Sequence, residues 1–438
     1  MKLFRAWFSS KYAWDADSAA KARSRRFISL YNVSTTITLN LIGGNFIVGL
    51  YTVLQVGDAL LGTLTAIAQL CNITQIFSPL LLDRFPKKKP VIIALRIIYY
   101  LFVIVLIGLI PYIPVEDGFR IGMLILFTMI ANFAAAFAAP GITALHVRSM
   151  PEDIRASFLS MLVLANNMSL YSFILIGSKI VDYMRDRGSL LAGITAVRSV
   201  ALVFAIFETI ATFNIHEFDE PANPDNASNG KKFALTFPFK DKKYMTCCIL
   251  VGAWNFIANA PGLYYSSYLL NDLGVPYSFL GSVSMLALPL FAAFTPIWNR
   301  VISKTSWFKA LALSLFIYGI GYITISFVNA ANYMVLYPLG MIVLYMTSPG
   351  INIGVSNMPY MHLPEAGRNG YLSFYAALNS TLSMLGLLSG SLWVQVARGA
   401  TLNVFGFVLV SKQYLCVFVG IMISALGVAH FAFRNNER

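Results

Sequence analysis

Long apolar runs dominate this chain. Of its 438 residues, 58% are hydrophobic and 12% charged, against about a quarter charged in an average soluble domain. The excess falls into blocks, each near the roughly 20 residues that cross a bilayer as a helix. In hydrocarbon every backbone N–H and C=O must be satisfied within the protein, which leaves helices or a closed barrel. The apolar–polar alternation of barrel strands is absent. The runs therefore predict an all-α membrane protein with twelve spans, near 27–53, 58–82, 90–112, 119–147, 155–182, 189–214, 243–270, 276–302, 308–329, 331–357, 367–396 and 413–433.

Lys and Arg set the orientation. With the N-terminus inside, 24 of the 32 basic residues fall in inner segments, six in outer ones, and Arg96 and Arg198 within spans. This predicts a multi-pass plasma-membrane protein with both termini cytoplasmic. The net charge of +13 is accordingly loop charge. No nucleic-acid partner is expected, because no basic nucleic-acid-binding fold accompanies it. Residues 1–26 form a basic N-terminal segment without the continuous apolar stretch of a secretory signal. Cys71, Cys247, Cys248 and Cys416 lie in or beside apolar runs with no CxxC pair. They read as small core side chains, and no metal or other cofactor is expected.

The chain also matches itself. Ala139-Pro140-Gly141-Ile142-Thr143, then Met150-Pro151-Glu152, Arg155 and Phe158-Leu159-Ser160, form one block. Ser348-Pro349-Gly350-Ile351-Asn352, then Leu363-Pro364-Glu365, Arg368 and Tyr371-Leu372-Ser373, form another. Asn45-Phe46-Ile47 pairs with Asn255-Phe256-Ile257, and Phe77-Ser78-Pro79 with Phe294-Thr295-Pro296. The longest polar segment, 215–242, has a linker's composition, with Asn223-Pro224-Asp225 and Asn229-Gly230. It separates two halves, 27–214 and 243–438. Two apolar halves repeated in parallel are the pattern of a transporter.

The loop after span 2 reads Asp83-Arg84-Phe85-Pro86-Lys87-Lys88-Lys89. With two six-span halves, a central inner linker and inner termini, it resembles the signature loop of the major facilitator superfamily. Asp83 and Arg84 take the acidic and basic positions, and Lys87 and Lys88 the later basic ones. Pro79 and Pro86 stand where the family carries glycine, and the second-half counterpart, Asn299-Arg300, lacks the acid. The resemblance implies two pseudo-symmetric six-helix bundles that rock to give alternating access to a small-molecule substrate. It also implies that Asp83 and Arg84 form a conformational latch. Spans 1, 4, 7 and 10 then line the central cavity, with 2, 5, 8 and 11 beside them.

Pro151-Glu152 and Pro364-Glu365 suit helix starts, where the terminus is electropositive. Arg155 and Arg368 follow one turn later, within reach of a local ion pair. These four charges read either as capping or as a gate shared with the Asp83 loop. Primary amides recur at mid-span: Asn40, Asn45, Asn132, Asn166, Asn167, Asn255, Asn259 and Asn379, with Trp254 beside them. In lipid such groups need partners or a wet cavity. Interhelical hydrogen bonding competes with substrate binding for each one; as a set they are candidates for a polar cavity. Amides beside the aromatic faces of Trp254, Tyr264, Tyr265, Tyr171 and Tyr345 suit a neutral polyhydroxylated solute, a sugar or glycoside. Tyr264 and Tyr265 read equally as interfacial anchors.

Arg198 and Glu208, both in span 6, lie about 15 Å apart along a helix and so do not pair with each other. Each either pairs with a neighbouring span or serves coupling to a proton or sodium ion. No Asp or Glu lies mid-span in spans 1, 4, 5, 7, 10 or 11, which weakens proton symport through those helices. His146 and His362 read as interfacial. A monomer in the lipid bilayer is expected. Competing readings are an exporter of amphipathic drugs or lipids, and a membrane-embedded enzyme. No catalytic set supports the enzyme.

Overall fold

The computed structural model describes residues 16–82, 84–150, 152–217, 241–358, 368–404 and 406–433. Their order is α1 (Ala16–Ile42, continued by Gly44–Val53), α2 (Asp58–Ile73), α3 (Lys89–Tyr100, continued to Tyr112), α4 (Asp117–Arg148), α5 (Glu152–Asp186) and α6 (Leu190–Asn214). There follow α7 (Lys242–Asn259, continued by Tyr264–Ser267 and Tyr268–Asp272), α8 (Tyr277–Met285 and Ala287–Lys304), α9 (Trp307–Ser326), α10 (Tyr333–Asn357) and α11 (Arg368–Val396). The strands β1 (Thr401–Val404) and β2 (Phe407–Val410) precede α12 (Ser411–Phe433). The fold is all-α and membrane-spanning: among the described residues eleven helices are long and apolar enough to cross a bilayer, and Leu60–Ile73 is shorter. The predicted second span breaks because Thr74–Phe77 tightens into a 3-10 turn before Ser78–Leu82. Proline has no N–H to donate to a helix ladder, and Pro79 follows that turn directly.

Local chemistry starts and stops these helices. Asp241 caps α7 by accepting from Tyr244 N at 3.1 Å, and Ser306 caps α9 by accepting from Lys309 N at 3.3 Å. At one end of α3 and α6 the capping is reciprocal. Glu217 Oε1 accepts from the backbone N–H of Lys88 at 2.7 Å and Lys89 at 3.2 Å, at the start of α3. Lys89 Nζ in turn donates to the carbonyls of Phe213 at 2.5 Å and Ile215 at 2.8 Å, at the end of α6. A carboxylate at a helix start and an ammonium at a helix end each meet the favourable pole of the helix dipole.

The helices group into two compact units, 1–50 with 74–234, and 51–73 with 235–438. The grouping departs from the linker division at one element, since residues 51–73 join the second unit. There a Cβ on Gly62 of α2 would meet Tyr264 of α7 and Ser391 of α11. In the first unit α6 packs on α1 and α5, and α3 on α4. In the second, α12 packs on α9, and α7 on α11. Small residues allow the closest approaches. Side chains on Gly386 and Gly390 of α11 would strike the carbonyls of Phe256 and Ala260 in α7, and one on Gly319 of α9 the Gly420 carbonyl of α12.

α1 already begins at Ala16, so the basic residues 21–26 lie on a helix rather than in an irregular segment. The hairpin β1–β2, paired Leu402 to Leu409 and Val404 to Phe407, has no counterpart in the sequence reading. Residues 218–240 of the expected linker lie outside the described residues. The four cysteines are free thiols and buried, as small core side chains should be.

Candidate functional site

The amides of the second repeat are brought together. Asn255 Nδ2 donates to Asn379 Oδ1 at 2.7 Å, joining α7 to α11. One turn on, Asn259 Nδ2 lies 3.4 Å from Ser383 Oγ. Asn379 and Ser383, then Gly386 and Gly390, follow at spacings that keep one face of α11 against α7. Each asparagine also returns an N–H to the carbonyl four residues back on its own helix. Trp254 meets Tyr318 edge to face at 5.6 Å.

In the first repeat the amides are not clasped in this way. Among the described residues Asn40 and Asn132 donate only to their own helices, to Thr36 O and Thr128 O, each at 2.8 Å. Asn166 stands 213 positions before Asn379, the offset between Pro151 and Pro364. Its Oδ1 is buried with no hydrogen-bond partner among the described residues. Asn45 and Asn167 are half-buried, and no side-chain bond joins Asn45 to Asn166 or Asn167 among the described residues.

The intramembrane charges find partners on α3. Glu208 accepts from Arg96, whose Nε lies 2.8 Å from Oε1 and whose terminal nitrogen lies 2.6 Å from the same oxygen. Arg96 also contacts the Tyr100 hydroxyl. Arg198 donates to the carbonyls of Val103 and Ile104. They lie inside a π-helical stretch, Leu101–Leu106, where the widened turn disturbs the ordinary ladder and frees acceptors. Gly108 makes room, since a Cβ there would meet the Arg198 side chain. Lys412 forms a comparable contact in the second unit, 3.1 Å from Asp272 at the end of the π-helical Tyr268–Asp272.

The sequence model of the Major Facilitator Superfamily matches residues 28–391. The chain belongs to the major facilitator superfamily. Solved structures agree on the fold. A D-xylose–proton symporter aligns with a TM-score of 0.69 at 13% identity, over 93% of this chain and 97% of that one. A bacterial homologue of the iron transporter ferroportin gives 0.67 at 15% identity, over 93% and 98%. The nucleoside transporter NupG gives 0.65 at 14% identity, over 94% and 98%. No curated protein matches the chain. This superfamily member is therefore a multi-pass transporter of small solutes.

The superfamily's loop places Arg84 in an exposed turn, while Asp83 lies outside the described residues. Glu152 and Arg155 lie in the first turn of α5 and Arg368 at the start of α11. Their side chains, and Glu365 altogether, lie outside the described residues. One sequence reading changes. Lys89, read as loop charge, ties α3 to α6. Tyr264 is fully buried and the Tyr265 hydroxyl donates to Ile325 O at 2.7 Å, next to the end of α9. His146 Nε2 is shut away from solvent, and its ring stands edge-on to Tyr31 at 4.6 Å. Arg96 was noted only as an intramembrane charge. Its spacing of 112 positions from Glu208 carries no local signal.

Proposed function

We propose that this superfamily member carries a small polar organic solute, a sugar or glycoside, across the plasma membrane by rocker-switch alternating access, as a monomer with both termini cytoplasmic. The observation that carries the reading is the contrast between the repeats. Asn255, Asn259 and Asn379 spend amide capacity on the α7–α11 contact. The buried Oδ1 of Asn166 has no partner among the described residues, and Asn40 and Asn132 bond only within their own helices. A buried polar atom without a partner is costly, and a hydroxyl-rich solute supplies donors and acceptors together. Asn45, Asn167 and Trp254 complete the proposed binding set. Asp83, Arg84, Glu152, Arg155, Glu365 and Arg368 are proposed to act at the inner gate.

A thermal-shift screen of the purified protein tests this, with mono- and disaccharides, nucleosides, short peptides and amphipathic cations. A solute at a hundred times its dissociation constant stabilises by about 2.7 kcal/mol. A shift with one sugar class, lost in Asn166→Ala or Asn132→Ala but kept in Asn255→Ala on a lowered baseline, is the expected result. Shifts confined to amphipathic cations would replace the sugar reading with export. Asp83→Asn should slow transport without reducing folded yield; normal uptake would remove the latch.

A further inference from the structure

We propose that Glu208 takes up and releases a proton within the membrane, with Arg96 as its releasable counter-ion and Thr35 as acceptor for the bound proton. The inference rests on the transporter reading, for which it makes the proton the coupling ion.

The pair is deeply enclosed: the side chains of Arg96 and Glu208 are 9% and 1% exposed. Removing one charge of a buried pair ordinarily strands the other. Here the two ends are supported unequally. Arg96 has the Tyr100 hydroxyl, and its guanidinium carbon lies 4.7, 5.2 and 5.9 Å from the ring centres of Tyr100, Tyr99 and Tyr31. Aromatic faces stabilise a desolvated cation. The cation therefore keeps support when Glu208 is neutral. Both contacts of Glu208 with Arg96 go to Oε1. Its Oε2 is buried and meets no partner at hydrogen-bond geometry among the described residues.

That free oxygen is where a proton goes. Thr35 Oγ1 lies beside the carboxylate and beside Tyr31; it is a buried oxygen with no partner at hydrogen-bond geometry among the described residues, as is Ser34 Oγ. When Oε2 takes a proton from water, an O–H bond forms and donates to Thr35 Oγ1. Arg96 keeps its charge, because guanidinium does not deprotonate in proteins. On release the proton returns to water and the ion pair re-forms. The groups around the Arg96–Glu208 pair are Tyr31 and Thr35 from α1, Tyr99 and Tyr100 from α3, and His146 from α4 on the Arg96 side. His146 Nε2, buried and without a partner among the described residues, stands against Tyr31 near the end of α4. It extends the polar line towards that end of the bundle.

Infrared difference spectroscopy of the full chain in lipid nanodiscs, labelled with 13C-carboxyl glutamate, tests this. Lowering the pH from about 8 to about 3.5, a range that spans ordinary glutamate carboxyls and displaced ones, should raise a label-sensitive band of a protonated, slowly exchanging carboxylic acid. The band should be absent in Glu208→Gln and shifted in Thr35→Val, which removes the acceptor. The Thr35 variant makes the assignment if Glu208→Gln does not fold. A folded wild type without the band throughout that range, or a band that survives in Glu208→Gln, overturns the proposal. Solute-induced thermal shifts without the band would remove the proton site and leave the transporter reading standing. The band without any responsive solute would do the reverse.

Discussion

Asn255 donates to Asn379 Oδ1 at 2.7 Å, joining two helices 124 positions apart in the chain. Its energy can be isolated. A double-mutant cycle with Asn255→Ala and Asn379→Ala, read from the folding equilibrium in mixed detergent, should give a coupling of about 0.6 kcal/mol and at most about 1.7. A coupling indistinguishable from zero would show that the amides meet no better than water or lipid would serve them.

Gly390→Leu should cost about 1–3 kcal/mol or more, because the Ala260 carbonyl occupies the space its side chain needs. Gly118→Ala is the control, since nothing lies within 4 Å of the added carbon. Thermal unfolding of both variants decides it. Equal midpoints would mean that α7 and α11 stand further apart than described.

Lys89→Ala removes the ammonium from the end of α6 and should lower stability by about 1 kcal/mol. Lys87, exposed two residues earlier, should change it by less than about 0.5 kcal/mol. Glu217→Gln should resemble Lys89→Ala in direction. If Lys87→Ala proves as harmful as Lys89→Ala, the reciprocal cap is wrong.

Arg198→Lys should loosen the π-helical turn even though the charge is kept. One ammonium does not reproduce the planar fork that reaches the Val103 and Ile104 carbonyls together. Hydrogen exchange in peptides covering 101–112 should quicken in this variant and in Gly108→Leu. Unchanged exchange would separate Arg198 from that turn.

Arg96→Met should destabilise by about 3–5 kcal/mol, because it strands the buried carboxylate, whereas Glu208→Leu should cost less, because Tyr100, Tyr99 and Tyr31 still hold the cation, and the pair replaced together returns close to the parent. Additive losses in the double variant would mean that the two groups do not form a closed ion pair in the bilayer.

The apolar runs, their helical state, the repeat and the family loop were legible in the sequence. Each depends on residues close together or on a pattern held in order. The second span's break at Thr74–Phe77 was half-legible, in Pro79. The mid-span asparagines were recognisable as groups needing partners. Which of them partner each other was not, because that depends on how α7 and α11 rotate and approach.

Composition determined that this chain crosses a membrane as helices, since lipid admits no other way to satisfy a backbone with these side chains. The tertiary structure alone decided that Glu208 meets Arg96, that Arg198 reaches a π-turn, that Lys89 closes α6, and that Asn255 clasps Asn379. Spanning is a property of each run by itself. A polar partner is set by where two distant helices come within 3 Å, and no short stretch of sequence encodes that.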